Sequence, residues 1–357
     1  MQEFIKCLQA YLKGEKLNKI EDDKDLISLT IEQSLQTVLY PVYNDKSYKK
    51  YYIGWVVKQE EFLSIQKEIT DIFNANNIKH LFTKGSILCN IYDDQCIRTR
   101  GDIDVFVSFK DVEKAKNILT SNGFISKQVT RHDYPLYKND ILIELHYTLF
   151  DEEIDKEWNK YFSNVFDNSY KDNGCLYKLD DTYHLIYCIA HFAKHLRLGA
   201  GIRYILDFYY MLSKTSIDYE RLHRELRVLG LLKLYDNILN AIYYLSAIPF
   251  DTCSKSPCDD FISYMLKSGI HGFGEKNDND TTLAHAKKHK FRFIVSRIFL
   301  TNKEYRKLRY PKLYKWYLYP ICLVINILYL LTHRIGTLFK FVFRKDKNKE
   351  LYKKLGI

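Results

Sequence analysis

The sequence predicts an α+β fold in which helices come first, a compact unit of strands and helices follows, and a helical domain and a basic tail complete the chain. Residues 26–42 and 62–78 carry apolar side chains at helical spacing. Residues 102–109 and 141–148 instead alternate between apolar and polar side chains and are rich in strand-forming residues. From residue 180 to at least 245, the helical spacing returns.

The elements of the central unit can be placed in chain order. A short strand at 80–84 ends at Gly85-Ser86, and a helix over 87–92 follows it. A helix over 112–121 is stopped by Asn122-Gly123. The remaining predicted elements are strands at 124–130 and 141–148, helices at 181–198 and 202–212 around the break at 199–201, and a loop rich in Gly, Asn and Asp at 272–280.

The length of 357 residues is enough for two domains. Changes in pattern divide the chain into four segments. These are N-terminal helices at 1–78 that pack on the central unit, a core at 79–170, a helical domain at 171–300 and a basic and apolar segment at 301–357.

The formal charge of +10 is concentrated in the last segment. Residues 301–357 contain 14 Lys and Arg against 3 acidic residues, or +11, so the first 300 residues are close to neutral. A duplex-binding protein more often spreads a basic stripe over its folded surface, so no specific nucleic acid partner is indicated. Eight scattered cysteines without zinc-site spacing are typical of free thiols in a reducing cytosol, which predicts a cytoplasmic protein.

An apolar stretch at 316–331 (WYLYPICLVINILYLL) lies between basic residues. It falls short of the roughly 20 apolar residues that span a bilayer, and Pro320 and Asn326 interrupt it. The basic flanks and a second apolar-basic run at 336–345 fit a peripheral contact of residues 312–345 with the inner face of the membrane. A helix packed on the body of the protein explains the pattern equally well.

Three carboxylates carry the strongest chemical signal. Asp102 and Asp104 are two apart on a predicted strand, so both project from one face of it. Glu144 lies on a second alternating strand, and its carboxylate joins the other two if the two strands pair. Clustered carboxylates repel one another without a cation, and oxygen ligands favour magnesium. Two solvated aspartates on an exposed strand would be the better interpretation if that pair stood alone.

The Gly85-Ser86 turn adds a second signal. It ends a strand and opens a helix, where backbone N–H groups and the positive helix end favour phosphate. A Gly-Ser pair alone is weak evidence, but it is followed here by the Asp102/Asp104 pair and by a later acidic strand.

This order of motifs resembles the nucleotidyltransferase superfamily that includes DNA polymerase β and the aminoglycoside nucleotidyltransferases. More narrowly, the chain resembles an uncharacterised bacterial nucleotidyltransferase family of polysaccharide and peptide-modification gene clusters. The motifs that carry the narrower resemblance are KGS at 84–86, RGDID at 100–104, ELH at 144–146, AHFAKH at 190–195, RYILD at 203–207 and EYRKLRYP at 304–311.

The resemblance implies a small mixed sheet with flanking helices and two Mg²⁺ ions. Asp102 and Asp104 would hold the metals, and Glu144 would complete one site and accept the proton of the acceptor. Gly85 and Ser86 would cradle the phosphates of a nucleoside triphosphate such as ATP, and Lys84 or Arg100 would neutralise them. The reaction would move NMP to a hydroxyl of an unidentified small molecule, saccharide or protein and release pyrophosphate. The alternative is a non-catalytic nucleotide-binding or membrane-associated scaffold.

Further polar residues are candidates for a substrate cleft. His146 shares a strand face with Glu144, where it either orients substrate or is a satisfied histidine at the edge of the site. The remaining candidates are His191, Lys194 and His195 on one face of the predicted helix at 181–198, and Arg203 and Asp207 four residues apart on the next helix. The alternatives are a packed polar helix contact for the first group and an intrahelical ion pair for Arg203 and Asp207.

Overall fold

The protein is described from a computed structural model that covers residues 1–150, 156–196, 199–270, 272, 290–333 and 348–357. The predicted loop at 272–280, apart from Gly272, and the apolar-basic run at 336–345 lie outside the described residues. The fold is α+β, as the sequence predicts.

One mixed sheet forms the centre of the described structure. Its strands follow the spatial order β3-β4-β5-β2-β1-β7-β6. Strands β2 and β5 run parallel, as do β1 and β7, whereas the other neighbouring pairs are antiparallel. The strands are β1 (His80–Phe82), β2 (Asp102–Val107), β3 (Ile125–Ser126), β4 (Asp133–Lys138), β5 (Ile141–His146), β6 (Ser169–Asn173) and β7 (Leu176–Leu179).

Helices surround the sheet and form most of the rest of the described chain. In chain order they are α1 (Gln2–Lys13), α2 (Lys24–Glu32), α3 (Leu39–Tyr43), α4 (Lys49–Ala75), α5 (Gly85–Leu88), α6 (Val112–Ser121), α7 (Lys156–Tyr161), α8 (Asp181–Leu196), α9 (Arg203–Lys214), α10 (Tyr219–Val228), α11 (Leu232–Ser246), α12 (Asp259–Ser268), α13 (Lys290–Phe299), α14 (Lys303–Arg309), α15 (Tyr319–His333) and α16 (Lys349–Leu355).

The elements differ from the predicted ones mainly at the edges of the sheet. The strand predicted at 124–130 shortens to the two residues of β3, and β4 was not predicted at all. Strands β6 and β7 form a hairpin that joins the sheet beside β1. The sheet therefore extends to Leu179, past residue 170, where the sequence-based division ends the core. The helix predicted over 87–92 begins two residues earlier, as α5, and continues as a 3₁₀ turn, Cys89–Ile91.

Two hydrophobic clusters cover opposite faces of the sheet. Ile103 and Val105 of β2 belong to a cluster with α4 and α6, which contribute residues such as Phe73 and Leu119. Phe106 belongs to the other cluster, which is built mainly from the N-terminal helices and α8 to α12. Because side chains alternate along a strand, Asp102 and Asp104 lie on the same face as Phe106. The sheet therefore presents its carboxylates toward the helical domain.

Helix α15 is packed on one face and exposed on the other. Cys322 and Asn326 are buried, whereas apolar residues such as Val324 and Leu328 are more than half exposed. The segment Trp316–His333 is also, by length and composition alone, the one segment in the described chain that could cross a membrane.

Candidate active site

The register of the sheet brings the predicted carboxylates together. Strand β2 pairs in parallel with β5 so that Asp104 lies opposite Glu144 and Phe106 lies opposite His146. Asp102 is two residues before Asp104 on the same face of β2. The pairing of β2 with β5 on which the three-carboxylate hypothesis depends is therefore present.

Asp104 is the most enclosed of the three carboxylates, and two cationic side chains contact it. Lys84 Nζ lies 2.6 Å from Asp104 Oδ1, and His146 Nε2 lies 2.8 Å from the same oxygen. The same His146 nitrogen is 3.2 Å from Glu144 Oε2. His146 thus bridges the two carboxylates and is itself 2% exposed.

The ionisable groups of the cluster differ in the direction in which their pKa values are shifted. Burial and the negative charges of Asp104 and Glu144 raise the pKa of Asp102 to about 7. Burial opposes ionisation of Asp104 and Glu144 as well, but the charge of Lys84 and the hydrogen bond from His146 lower the pKa of both. His146 loses basicity through burial, yet its hydrogen bonds to Asp104 and Glu144 raise its pKa to about 9. The histidine is therefore protonated at neutral pH.

The turn at Lys84, Gly85 and Ser86 holds the first helical turn against β2. Lys84 adopts a positive φ of 49°, which directs the chain from β1 into α5. The Ser86 hydroxyl accepts a hydrogen bond from the backbone N–H of Asp104 at 3.2 Å, and the Ser86 N–H donates to the Thr83 carbonyl. The turn and the aspartate strand are thus bonded directly to each other.

Position 85 requires a glycine because the Arg98 side chain lies very close to its backbone. A Cβ atom at this position would lie 2.6 Å from Nη1 of Arg98, whose guanidinium is buried and held by other residues. Because the arginine cannot move away freely, the contact explains why the position before Ser86 carries no side chain.

We expect Gly85→Ala to lower the free energy of unfolding by about 1–3 kcal/mol, because the new methyl group overlaps Arg98. The matched control is Gly54→Ala in α4, where a Cβ would meet no atom within 4 Å. That change should raise the free energy of unfolding by about 0.5–1 kcal/mol through helix propensity. Urea denaturation measures both, and equal effects of the two substitutions would contradict the close-contact explanation.

Arg98 belongs to a buried network that sequence reasoning missed. Its Nε and Nη2 donate to the two carboxylate oxygens of Asp207 at 3.0 and 2.9 Å, and Tyr92 donates to Asp207 at 2.8 Å. Asp207 lies on α9, so this ion pair joins the helical domain to the strand-and-turn unit. The prediction of an intrahelical ion pair between Arg203 and Asp207 is wrong, because Arg203 instead donates to the Thr99 carbonyl at 2.8 Å.

The Arg100 side chain contacts α4. Its guanidinium lies over the Phe62 ring, 4.6 Å from the centroid, and its Nη1 donates to Gln66. Its Nε and Nη2 are buried and have no hydrogen-bond partner among the described residues.

The predicted histidines of α8 lie close to one another and to the site. Nε2 of His191 and Nε2 of His195 are 3.0 Å apart, and Lys194 is buried on the same helix. Burial lowers the pKa of His191 well below its ordinary value, and the nearby positive charge of Lys84 adds to this effect. Burial therefore favours the neutral form of His191, which lies within electrostatic reach of Lys84 and His146.

Within the described part of the chain, two overlapping groups of side chains have the geometry to hold a cation. Ligand atoms of Asp104, Glu144 and His146 lie within 4.8 Å of one another, and so do those of His132, Asp133 and His146. The rings of His132 and His146 stack at 5.7 Å. With Asp102 beside Asp104, the first group offers the carboxylate oxygens that a divalent cation requires, so the residues present fit a metal of the type expected.

A carboxylate cluster on paired parallel strands, beside a Gly-Ser turn that opens a helix, is the type of site used by metal-dependent phosphoryl-transfer enzymes. The sequence model of a family described as uncharacterised nucleotidyltransferase matches residues 29–244, more than half of the chain. The chain belongs to this family and is a nucleotidyltransferase.

Among solved structures, the chain is similar to the crystal structure of the Megavirus polyadenylate synthase, with 13% identity and a TM-score of 0.31. The similarity covers 63% of this chain and 46% of that one, so it spans less than half of the length of the polyadenylate synthase. No curated protein matches the chain.

Proposed function

We propose that the protein transfers NMP from a nucleoside triphosphate to a hydroxyl group in a magnesium-dependent reaction that releases pyrophosphate. The observation that carries the proposal is the alignment of Asp104 with Glu144 on paired strands, with Asp102 on the same face. Membership of the nucleotidyltransferase family supports the same reaction class.

Asp102, Asp104 and Glu144 are the side chains that would hold the magnesium ions. Bound there, Mg²⁺ would neutralise charge on the phosphates and favour attack on the α-phosphorus. Burial, and after it the negative charges of Asp104 and Glu144, raise the pKa of Asp102 to about 7, and a divalent cation would relieve the repulsion among the three carboxylates.

The bonding changes define what the chain's residues must do. The acceptor oxygen forms a bond to the α-phosphorus, the bond from that phosphorus to the bridging oxygen breaks, and pyrophosphate leaves with the electron pair. The acceptor hydroxyl loses its proton, which Glu144 would take up. His146 would keep the Glu144 carboxylate in position through their 3.2 Å contact.

The triphosphate would lie between the Gly85-Ser86 turn and α8. Lys84 would contact it, a role supported by the 2.6 Å distance between its ammonium and Asp104 Oδ1. Arg100 has two buried donor nitrogens without a partner among the described residues and would supply further positive charge. The remaining residues proposed for the substrate cleft are His191, Lys194, His195, Arg203 and Asp207. Asp207 would act indirectly, by accepting hydrogen bonds from Arg98.

The test is incubation of the purified chain with each α-³²P-labelled NTP and Mg²⁺, with clarified host lysate as the source of acceptors. We expect label to move to one class of acceptor, small molecule, saccharide or protein, only when magnesium is present. The double variant Asp102→Asn/Asp104→Asn is the inactive control.

Transfer that is equal in the wild type and in the double variant would contradict the assignment of the site. Absence of both transfer and magnesium-dependent NTP binding by the wild type would favour the non-catalytic scaffold alternative instead.

A further inference from the structure

A stripe of apolar side chains on α15 is exposed on the surface. Its members are between 41% and 57% exposed and recur every three or four residues, which places them on one face of the helix. They are Ile321, Val324, Ile325, Leu328 and Leu331. We call this set the α15 stripe.

The opposite face of α15 fixes the helix flat on the body of the protein. Cys322 is fully buried in the cluster that also contains Tyr305 and Leu308. The Asn326 side-chain amide donates to the backbone carbonyls of Arg297 and Ile298 in α13, at 2.8 and 3.0 Å. Removing α15 from this position would leave these polar groups without partners, so the packing favours a helix that lies on the surface over one that crosses a bilayer.

Aromatic and basic residues lie close to the stripe in the sequence. Trp316 is 85% exposed and Tyr317 is 55% exposed, immediately before the helix begins. The residues from 303 to 333 contain six Lys and Arg against the single acid Glu304, a net charge of +5. They are Lys303, Arg306, Lys307, Arg309, Lys312 and Lys315. An exposed tryptophan, an apolar stripe and an excess of positive charge complement the surface of an anionic bilayer.

The charge also distinguishes the possible occupants of this face. Association of two copies through the α15 stripe would bring two segments of +5 together, and their repulsion opposes such a dimer. An anionic lipid surface meets both properties of the segment, since it attracts the basic residues and accepts the apolar ones.

We propose that the α15 stripe and Trp316 bind peripherally to an anionic membrane surface, with the helix axis parallel to it. Helices α13 and α14, which pack beside α15, contact the part of the chain that carries the candidate site. Arg131 donates to the Ser296 carbonyl of α13 at 3.1 Å and lies over the ring of Tyr305 in α14. Arg131 immediately precedes His132, which belongs to one of the two candidate cation groups. This inference goes beyond the proposed function and does not depend on it.

The experiment is flotation of the full chain with vesicles of phosphatidylcholine alone or of phosphatidylcholine with 30% phosphatidylserine. We expect at least tenfold stronger partitioning to the anionic vesicles, weakened by high salt and fully reversed by alkaline carbonate. The variant Val324→Asp/Leu328→Asp should reduce partitioning at least tenfold. Both positions are 57% exposed, so the substitutions should leave the fold intact.

The matched control is Val57→Asp/Val228→Asp, which places the same charges at exposed valines on α4 and α10. A second readout is the emission of Trp316, which should shift to the blue with anionic vesicles and lose that shift in Trp316→Phe. Equal partitioning of wild type and the α15 variant would overturn the proposal. Resistance to carbonate extraction, or dimerisation through the stripe without lipid binding, would overturn it as well.

Discussion

Replacing Asp104 by Asn should lower the rate of nucleotidyl transfer by a factor of about 10³ or more, which corresponds to about 4 kcal/mol of transition-state stabilisation. The amide removes one negative charge from the centre of the proposed metal site while keeping the size of the side chain. It also removes the charge partner of Lys84 and His146. The measurement is the initial rate of pyrophosphate release with the acceptor found in the lysate, together with magnesium-dependent NTP binding by calorimetry.

The matched control for that substitution is Asp71→Asn on α4. Its carboxylate is 61% exposed and pairs with Lys67 on the same helix, so its loss should leave the rate within a factor of two. Thermal unfolding of both variants separates loss of chemistry from loss of fold. An Asp104→Asn protein that is folded and retains more than a tenth of the wild-type rate would contradict the role assigned to Asp104.

Replacing Asp207 by Ala should lower the free energy of unfolding by about 3–5 kcal/mol, because it leaves the Arg98 guanidinium buried without its charge partner. Arg98→Ala should cost a similar amount, because the Asp207 carboxylate stays buried without its charge partner, although the Tyr92 hydroxyl still donates to it. Urea denaturation of the single variants and of the double variant gives their coupling energy.

Two further variants test the explanation of that stability loss. Arg98→Met/Asp207→Leu, which replaces the pair by apolar side chains of similar size, should recover most of the loss. Arg221→Ala breaks a pair with Asp180, whose side chain is 43% exposed, and should cost no more than about 1 kcal/mol. If breaking the buried pair and breaking the exposed pair lowered the free energy of unfolding equally, burial would not explain the stability loss.

The centre of the site was predictable because it depends on the shortest-range patterns in the sequence. A period of two residues places Asp102 with Asp104 and Glu144 with His146, whatever the rest of the chain does. The pairing of β2 with β5 then needs only that two alternating strands become neighbours, and the register places Asp104 opposite Glu144.

Strand β4 could not be predicted from the same rules. Its sequence, DYPLYK, contains Pro135, which cannot donate to a neighbouring strand and argues against an interior strand. The strand nevertheless forms because it pairs with β5 along its whole length, while its other neighbour, β3, is only two residues long.

The ion-pair partner of Asp207 could not be predicted from the sequence for a different reason. The sequence shows Arg203 one helical turn away, whereas the observed partner, Arg98, is 109 residues distant. The choice between them depends on burial and on the bidentate geometry that Arg98 attains, and neither is visible before the domains are packed together. The β6–β7 hairpin, in contrast, carries an Asn173-Gly174 turn signal that sequence reasoning could have used.

Lys84 and His146 supply positive charge to the carboxylates from within the chain itself. A cluster whose repulsion is relieved by its own neighbours can assemble as the sheet forms, without waiting for an ion from solution. Folding of the polypeptide would therefore not require prior binding of the proposed metal. A newly synthesised chain would then reach the same fold whether or not the proposed metal is present.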